Sequence, residues 1–205
     1  MCCTFYHSLA TNNSVLKVIN TMNIFYRLMH VINSGWKFIR RRILQALDPV
    51  GYARKIGVKI GVNCRLISVN FGAEPFLISI GNHVSITKAT FITHDGGVWI
   101  FRDEMPDLDL FKPIKIGNNV FIGYGTVILP GAVVSDNVVI GAMSVVSGFI
   151  PPDSICAGVP ARKIRSVAEY KARVIEIGIP TKKVPAKYKQ EHIKQALLEK
   201  GLLKF

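Results

Sequence analysis

The chain has 205 residues, 49% of them hydrophobic, which suffices for one domain with a sizeable core and excludes a disordered chain. It contains no uncharged apolar run of about 18 residues, the length that a membrane-spanning helix needs. Residues 1–10 lack the basic and apolar segments of a secretory signal, so we expect a cytoplasmic protein. The cysteines have no metal-type spacing and are expected to be reduced and unpaired: Cys2, Cys3, Cys64 and Cys156.

The net charge of +13 is concentrated at the two ends of the chain. Residues 1–55 carry 8 basic and 1 acidic side chains, residues 161–205 carry 12 and 4, and the segment between them carries 6 and 8. The central segment is therefore not a nucleic-acid surface. The basic ends suit phosphates or an anionic membrane surface, and a solvated charged face is the simpler alternative.

Residues 14–47 mix apolar and basic side chains and predict a helix that breaks near Ser34–Gly35. It belongs to a basic, helical flank that we assign to residues 1–55. Two interpretations stay open for this helix. It lies on the inner face of the membrane, or it packs over the end of the next domain and covers unpaired strand edges; we favour the second.

A six-residue repeat dominates the centre of the chain. From Ile116 it reads IGNNVF, IGYGTV, ILPGAV, VSDNVV, IGAMSV and VSGFIP, with an aliphatic first position and a mostly small fifth position. An earlier block shows the same pattern, with first positions at Ile80, Ile86 and Ile92 and fifth positions at Val84 and Thr90. A weaker pair of hexads begins at Ile60 and Leu66.

A strict period of six fits neither a helix, with its period of 3.6, nor a single strand, with its period of 2. It fits a triangular coil of about 18 residues, in which each six-residue side ends in a turn. The first position then points into the prism, the fifth fits beside it, and stacked coils bury both. The repeat therefore predicts a parallel β-helix over residues 56–160.

One segment of this domain, residues 95–115, has no hexad period and is predicted to leave the prism as a loop. His94 stands immediately before it. Function concentrates in loops that leave a regular solenoid, and histidine is the natural general base near neutral pH. The other histidines are assigned to the flanks or to an outward-facing position: His7, His30, His192 and His83.

A histidine base works best when an acceptor holds its second nitrogen. Glu74 precedes Pro75 one coil before His94, where the early hexads break, so it is our second catalytic candidate. A solvated loop position is the alternative for Glu74. Asp95 is adjacent to the histidine, but neighbouring side chains on an extended chain point apart.

After the last hexad the chain reads CAGVPARKIR, followed by two predicted helices, one that begins over Ser166–Val174 and a basic one over Ala186–Lys200. Residues 161–205 thus form a basic helical tail. The hexads, the histidine before the excursion and the closing motif together resemble the hexapeptide-repeat acyltransferases. Within that family, the resemblance is to the branch of the maltose and galactoside acetyltransferases and the surface-polysaccharide acetyltransferases, and it covers residues 56–165.

The resemblance implies an all-β core, a left-handed parallel β-helix with helical flanks, assembled as a homotrimer with active sites in the clefts between subunits. It implies direct transfer of an acyl group, most simply acetyl, from an acyl-CoA co-substrate, with His94 as the base. No permanently bound cofactor and no metal are expected.

The resemblance also assigns donor and acceptor positions. The donor positions are Gly123, Tyr124, Gly141, Ala142, Ser147, Arg162, Lys163 and Arg165. We expect the small residues to leave backbone amides accessible to the pantetheine arm, and the basic residues to contact the nucleotide phosphates. The acceptor is expected beside Asp95 and Gly96. Many relatives have Thr-Lys where this chain has Ser147-Gly148, so one lysine contact to coenzyme A is missing.

The expected function is acylation of a sugar hydroxyl in a bacterial surface polysaccharide or its precursor. Two alternatives stay open, namely N-acylation of a nucleotide-linked amino sugar and a non-catalytic β-helix scaffold. A zinc carbonic anhydrase of this fold is excluded, because it needs three histidine ligands and the coils hold only His83 and His94. Without a Walker loop or a dinucleotide fingerprint, ATP and NAD are not expected.

Overall fold

The computed structural model describes residues 43–203 of the chain. The chain divides into two units, residues 1–48 and residues 49–205, and residues 43–47 of the first unit are helical. The predicted helix of residues 14–47, with the choice between its two interpretations, lies almost wholly outside the described residues. Within residues 43–203, no helix is both long and apolar enough to span a bilayer.

Short strands form a prism with three faces, on which each strand pairs in parallel with a strand of the next coil. Face A contains β1 (Lys59–Ile60), β3 (Ile78–Ile80), β6 (Ile114–Ile116), β9 (Val133–Val134) and β12 (Phe149–Ile150). Face B contains β2 (Arg65–Ile67), β4 (Ser85–Thr87), β7 (Val120–Ile122), β10 (Val138–Ile140) and β13 (Ser154–Ala157). Face C contains β5 (Thr90–Phe91), β8 (Val127–Ile128) and β11 (Val145–Val146).

The chain visits faces A, B and C in turn and then begins the next coil, so equivalent residues of successive coils stack. Ile86, Ile122 and Ile140 form one such row through the pairing of β4, β7 and β10. Each coil buries its apolar side chains against its neighbours, which is the way a solenoid acquires a core. The predicted fold class, a parallel β-helix with helical flanks, is confirmed.

The first hexad positions form the core of the prism. From Ile116 onward they are at most 4% exposed: Ile116, Ile122, Ile128, Val134, Ile140 and Val146. The fifth positions are also buried: Val120, Thr126, Ala132, Val138, Ser144 and Ile150. The two hydroxyls in this set donate to main-chain carbonyls of their own turns, at Gly123 and Gly141, so burial leaves neither of them unsatisfied.

The predicted hexad frame is wrong by one residue on face C of the second coil. The side chains buried there are those of Ala89, Phe91 and Thr93. Thr90 and Ile92, which the frame placed inside, are partly exposed. Because side chains alternate along a strand, a shift of one residue exchanges its two faces.

A shorter corner causes this shift. Ile86 and Phe91 stack on Ile122 and Ile128, yet the chain from Ile86 to Phe91 is one residue shorter than the chain from Ile122 to Ile128. Lys88 makes the tighter turn with a left-handed backbone, at a φ of 48°. Every side chain that follows on this coil therefore changes face relative to the predicted frame.

The corner between faces A and B carries a ladder of polar side chains. Its residues have left-handed backbones, with φ between 52° and 57°, at Asn63, His83, Asn119, Asn137 and Asp153. His83 Nδ1 is hydrogen-bonded to Asn119 Oδ1 at 2.9 Å, and Asn119 Nδ2 donates to Asn137 Oδ1 at 2.8 Å. Asparagine suits this corner, because it tolerates the left-handed backbone and bonds along the stack. His83 is exposed as expected, and its ring joins this ladder.

Helices flank the coils at both ends of residues 49–203. Before the first coil lies α1 (Pro49–Lys55), and after the last come β14 (Arg162–Ser166), α2 (Val167–Ile177) and α3 (Ala186–Glu199). The closing motif forms a hairpin, since β14 runs antiparallel to β13 on face B. A capping box of Ser166 and Glu169 starts α2, in agreement with the helix predicted from Ser166.

Candidate active site

Glu74 and His94 lie at equivalent positions of the first two coils and are in direct contact. His94 Nδ1 is 2.9 Å from Glu74 Oε2, and the two side chains are 48% and 19% exposed. Asn70 pairs with Thr90, and each site residue stands four positions further along its own coil. The sequence left two interpretations open for Glu74, a partner of the histidine or a solvated loop residue. The structure places its side chain against the histidine.

Both residues stand where the chain leaves a regular face. Glu74 precedes a single 3₁₀ turn, Pro75–Leu77, whose proline restricts the backbone at its start. His94 pairs in an isolated antiparallel bridge with Phe111, on the returning limb of the excursion, and the centroids of the two rings are 6.3 Å apart in an edge contact. The loop therefore leaves and re-enters the prism beside the histidine, which fixes the main chain there while the ring stays accessible.

A third side chain, Thr93, completes the contact. It is fully buried, and its Oγ1 donates to Glu74 Oε2 at 2.6 Å, the oxygen that also contacts His94. The hydrogen bonds from Thr93 and His94 lower the pKa of Glu74 below its usual range. Glu74 is therefore a carboxylate at neutral pH and can accept from both neighbours.

This contact determines what the imidazole can do. Because a carboxylate only accepts hydrogen bonds, the proton of a neutral His94 ring belongs on Nδ1, and Nε2 carries the lone pair. A ring in this tautomer can accept a proton at Nε2, while Glu74 stabilises the imidazolium that forms. The arrangement is therefore able to act as a general base held by a carboxylate.

The predicted acceptor residues, Asp95 and Gly96, open the excursion. Asp95 Oδ1 accepts from Gly97 N at 2.9 Å and caps the 3₁₀ helix Gly96–Phe101. This carboxylate therefore shapes the loop, in agreement with the expectation that it does not hold the histidine. Open space surrounds the position that a Cβ at Gly96 would occupy. A role for either residue in acceptor binding stays a prediction.

The expectation that Gly123 and Gly141 leave their backbone amides accessible to the donor is wrong. The amides of Gly123 and Gly141 donate to the carbonyls of Ile140 and Cys156, at 2.9 and 2.8 Å, so they join stacked coils and are not accessible. These positions need glycine because the next coil is too close for a side chain. A Cβ at Gly123 would lie 2.6 Å from Ala142 N. Their part in donor binding stays a prediction.

Tyr124 and Ala142, two further predicted donor residues, are exposed at the corner between faces B and C. Lys88, from the coil of His94, joins them: its Nζ donates to the Tyr124 hydroxyl at 3.2 Å and lies 5.0 Å from the ring centroid. Sequence reasoning missed Lys88, because a lone lysine at a turn carries no signal of its own. Ser147 is partly exposed and follows β11, at the end of face C.

The basic residues of the closing motif lie together on β14. Arg162 and Lys163 are exposed and Arg165 is partly exposed, opposite Ala157, Cys156 and Ile155 of β13. Arg162 Nη1 donates to the neighbouring Ala161 carbonyl at 3.0 Å. Within residues 43–203, no three histidine, cysteine, aspartate or glutamate side chains stand together as metal ligands.

Sequence reasoning also missed Thr93, and the cause is the frame error on the second coil. With Ile92 assigned to the interior, Thr93 would face solvent and attract no attention. The alternation of Ala89, Phe91 and Thr93 was the signal that could have found it.

Known proteins are similar to this chain in sequence and in fold. Residues 113–148 match the family described as bacterial transferase hexapeptide (six repeats). Protein CapG of Staphylococcus aureus is 49% identical over 135 residues, which cover 64% of this chain and 78% of CapG. The putative lipopolysaccharide biosynthesis O-acetyl transferase WbbJ of Escherichia coli is 36% identical over 97 residues, covering 43% of this chain and 50% of WbbJ. The crystal structure of a hexapeptide-repeat-containing acetyltransferase from Vibrio cholerae aligns with a TM-score of 0.51 and 25% identity, over 67% of this chain and 92% of that one.

The parallel β-helix of hexads and these matches together define a class of protein, the hexapeptide-repeat acyltransferases. The chain belongs to this family, because it matches the hexapeptide repeats and shares 49% identity with a relative of which it covers 78%. It is an acyltransferase, and its β-helix is the parallel-strand solenoid predicted for it; the left-handed sense stays a prediction.

Proposed function

We propose that the protein transfers an acetyl group from acetyl-CoA directly to a sugar hydroxyl, with His94 as the general base. The contact between His94 and Glu74 at the loop corner carries this proposal. Nε2 takes the proton of the hydroxyl as its oxygen attacks the thioester carbonyl. The carbon–sulfur bond then breaks, coenzyme A leaves as a thiolate, and the protonated His94 gives the proton to this thiolate.

A direct transfer needs no acyl-enzyme. Among residues 43–203, no serine or cysteine is hydrogen-bonded to His94, whereas a covalent route needs a nucleophile activated in that way. Both substrates are then bound at once. Arg162, Lys163 and Arg165 supply the positive charge for the phosphates of the donor.

The acceptor that we infer is a sugar of a bacterial surface polysaccharide or of its precursor. Support comes from WbbJ, whose name links a similar chain to O-acetyl transfer in lipopolysaccharide biosynthesis. The alternative is N-acylation of a nucleotide-linked amino sugar. An amine is partly neutral before it binds and therefore depends less on a base than a hydroxyl does, so the held histidine favours the hydroxyl.

A homotrimer belongs to this proposal. The His94 side chain is 48% exposed on a single prism, which is too open to keep water from a thioester. A neighbouring prism can close the site and form a cleft for the cofactor. Light scattering should give three times the mass of the chain, and a stable monomer that is fully active would contradict this part.

The test of the function is an acetyl-transfer assay with acetyl-CoA and two acceptor sets. One set contains oligosaccharide repeat units, and the other contains nucleotide-linked amino sugars. We expect a product that gains one acetyl group by mass spectrometry and loses it in mild alkali, as an ester does and an amide does not. An alkali-stable product formed only from amino sugars would support the N-acyl alternative, and absence of coenzyme A binding would support the scaffold.

A further inference from the structure

We infer that Thr93 is a positioning residue of this site, whose buried hydroxyl holds the Glu74 carboxylate in the orientation that His94 needs. The inference rests on the proposed function, because it concerns the same histidine. It adds a residue inside the prism to a site that otherwise lies on its surface.

The geometry joins the three side chains at one atom. Glu74 Oε2 accepts from Thr93 Oγ1 at 2.6 Å and contacts His94 Nδ1 at 2.9 Å. Thr93 points into the core and His94 points outward, because they are neighbours on an extended segment. The carboxylate is therefore held from inside the prism by a group that solvent does not reach, and it holds the ring outside.

Thr93 itself has little freedom to move. Its side chain is fully buried, and its carbonyl accepts from Lys112 N at 2.8 Å, on the limb where the excursion returns. Because the side chain is enclosed by the core and the main chain is bonded to the returning limb, the Thr93 hydroxyl restricts the rotation of the carboxylate that it binds. The Glu74 side chain is 19% exposed, so without that bond its carboxylate can turn toward water.

The other buried hydroxyls show that this arrangement is not a general feature of the coils. Thr126, Ser144 and Ser154 each donate to a main-chain carbonyl three residues earlier, within their own turn. Among the buried polar side chains of residues 43–203, Thr93 is the one that donates to a carboxylate. Its hydroxyl thus serves the site, whereas theirs satisfy the local turn.

The experiment compares Thr93→Val, which keeps the shape and removes the hydroxyl, with Thr93→Ser, which keeps the hydroxyl. A hydrogen bond to a charged group is lost in the first, so kcat should fall roughly tenfold while KM for acetyl-CoA stays within about twofold. Thr93→Ser should recover most of kcat. Thr126→Val is the matched control, since it removes a fully buried hydroxyl that is bonded to main-chain carbonyls and to neither Glu74 nor His94, and its kcat should stay within about twofold of wild type.

A double-mutant cycle separates positioning from mere stability. In a Glu74→Ala background the hydroxyl has no carboxylate to hold, so adding Thr93→Val should change kcat by less than about twofold. The inference is overturned if Thr93→Val loses the same factor in both backgrounds, or if it keeps more than about half of wild-type kcat. If Thr93→Val does not fold, Thr93→Cys takes its place. Because a thiol is a weaker donor than a hydroxyl, the kcat of this variant should lie below that of Thr93→Ser and above that of Glu74→Ala.

His94→Ala distinguishes a failure of this inference from a failure of the proposed function. If His94→Ala loses turnover and Thr93→Val does not, only the inference on Thr93 is wrong. If His94→Ala itself keeps its turnover, the proposed base is wrong and the inference falls with it.

Discussion

The early coils, residues 59–94, and the late coils, residues 114–150, use one repeat in two ways. In the late coils every first and fifth position is buried, and the amides of Gly123 and Gly141 bond to the next coil. In the early coils the corner between faces B and C is one residue shorter, and the chain then departs from face C. Glu74 and His94 stand at that departure.

The difference shows which parts of a solenoid can bring catalytic side chains together. A strict hexad uses its inward positions for packing and its corners for hydrogen bonds along the stack, so it has no freedom left to bring a base and a carboxylate together. The shortened corner changes the faces of the residues that follow, and it places a hydroxyl inside the prism and an imidazole outside. The late coils form a regularly packed core, and the candidate active site lies where the early coils depart from the repeat.

The largest effect that separates the two regions should appear in stability. Ile140→Ala removes a fully buried side chain from the central row of face B, and we expect it to lower the free energy of unfolding by about 2–5 kcal/mol. Glu74→Ala in the early coils should leave the unfolding free energy much closer to wild type and reduce kcat instead. Urea denaturation and kcat, measured for both variants, check this contrast. A Glu74→Ala variant as unstable as Ile140→Ala would contradict the expected difference between the two regions.

A smaller effect is expected at the closing strand that follows the late coils. Arg162→Ala removes the charge-assisted contact that we propose to a donor phosphate, so KM for acetyl-CoA should rise roughly tenfold with little change in kcat. Arg173→Ala is the matched control, because this exposed arginine lies on α2, outside the predicted donor residues. Equal KM values for the two variants would mean that the nucleotide lies elsewhere.

The smallest effect concerns pH. The folded pKa of Glu74 lies below its ordinary value of 4.5, chiefly because Thr93 and His94 hydrogen-bond to it. The stabilisation from these bonds is thus fully present above the ordinary value and is lost as the pH falls through the folded value. Below about pH 5, the difference in unfolding free energy between wild type and Glu74→Ala should shrink as the pH falls. A difference that keeps widening below that pH would contradict this assignment.

The sequence alone predicted the parallel β-helix because its signal is repeated: the aliphatic residues from Ile116 to Val146 return every six residues and admit one geometry. It singled out His94 because the excursion interrupts that regularity. It could not fix the partner of the histidine, since contact with Glu74 depends on the register of two coils, and one residue missing at the corner of Lys88 changes that register. The same missing residue concealed Thr93.

The most direct test of the account is the kcat of His94→Ala on an acceptor that the wild-type enzyme acetylates, with acetyl-CoA saturating. Loss of a general base should lower kcat by about 10²–10⁴. The Kd for coenzyme A, measured by calorimetry on the same preparation, should stay near that of wild type, because in the proposed reaction the histidine contacts the reacting end and not the nucleotide. A variant that keeps more than about a third of wild-type kcat would contradict the claim that the departure from the repeat at His94 supplies the base.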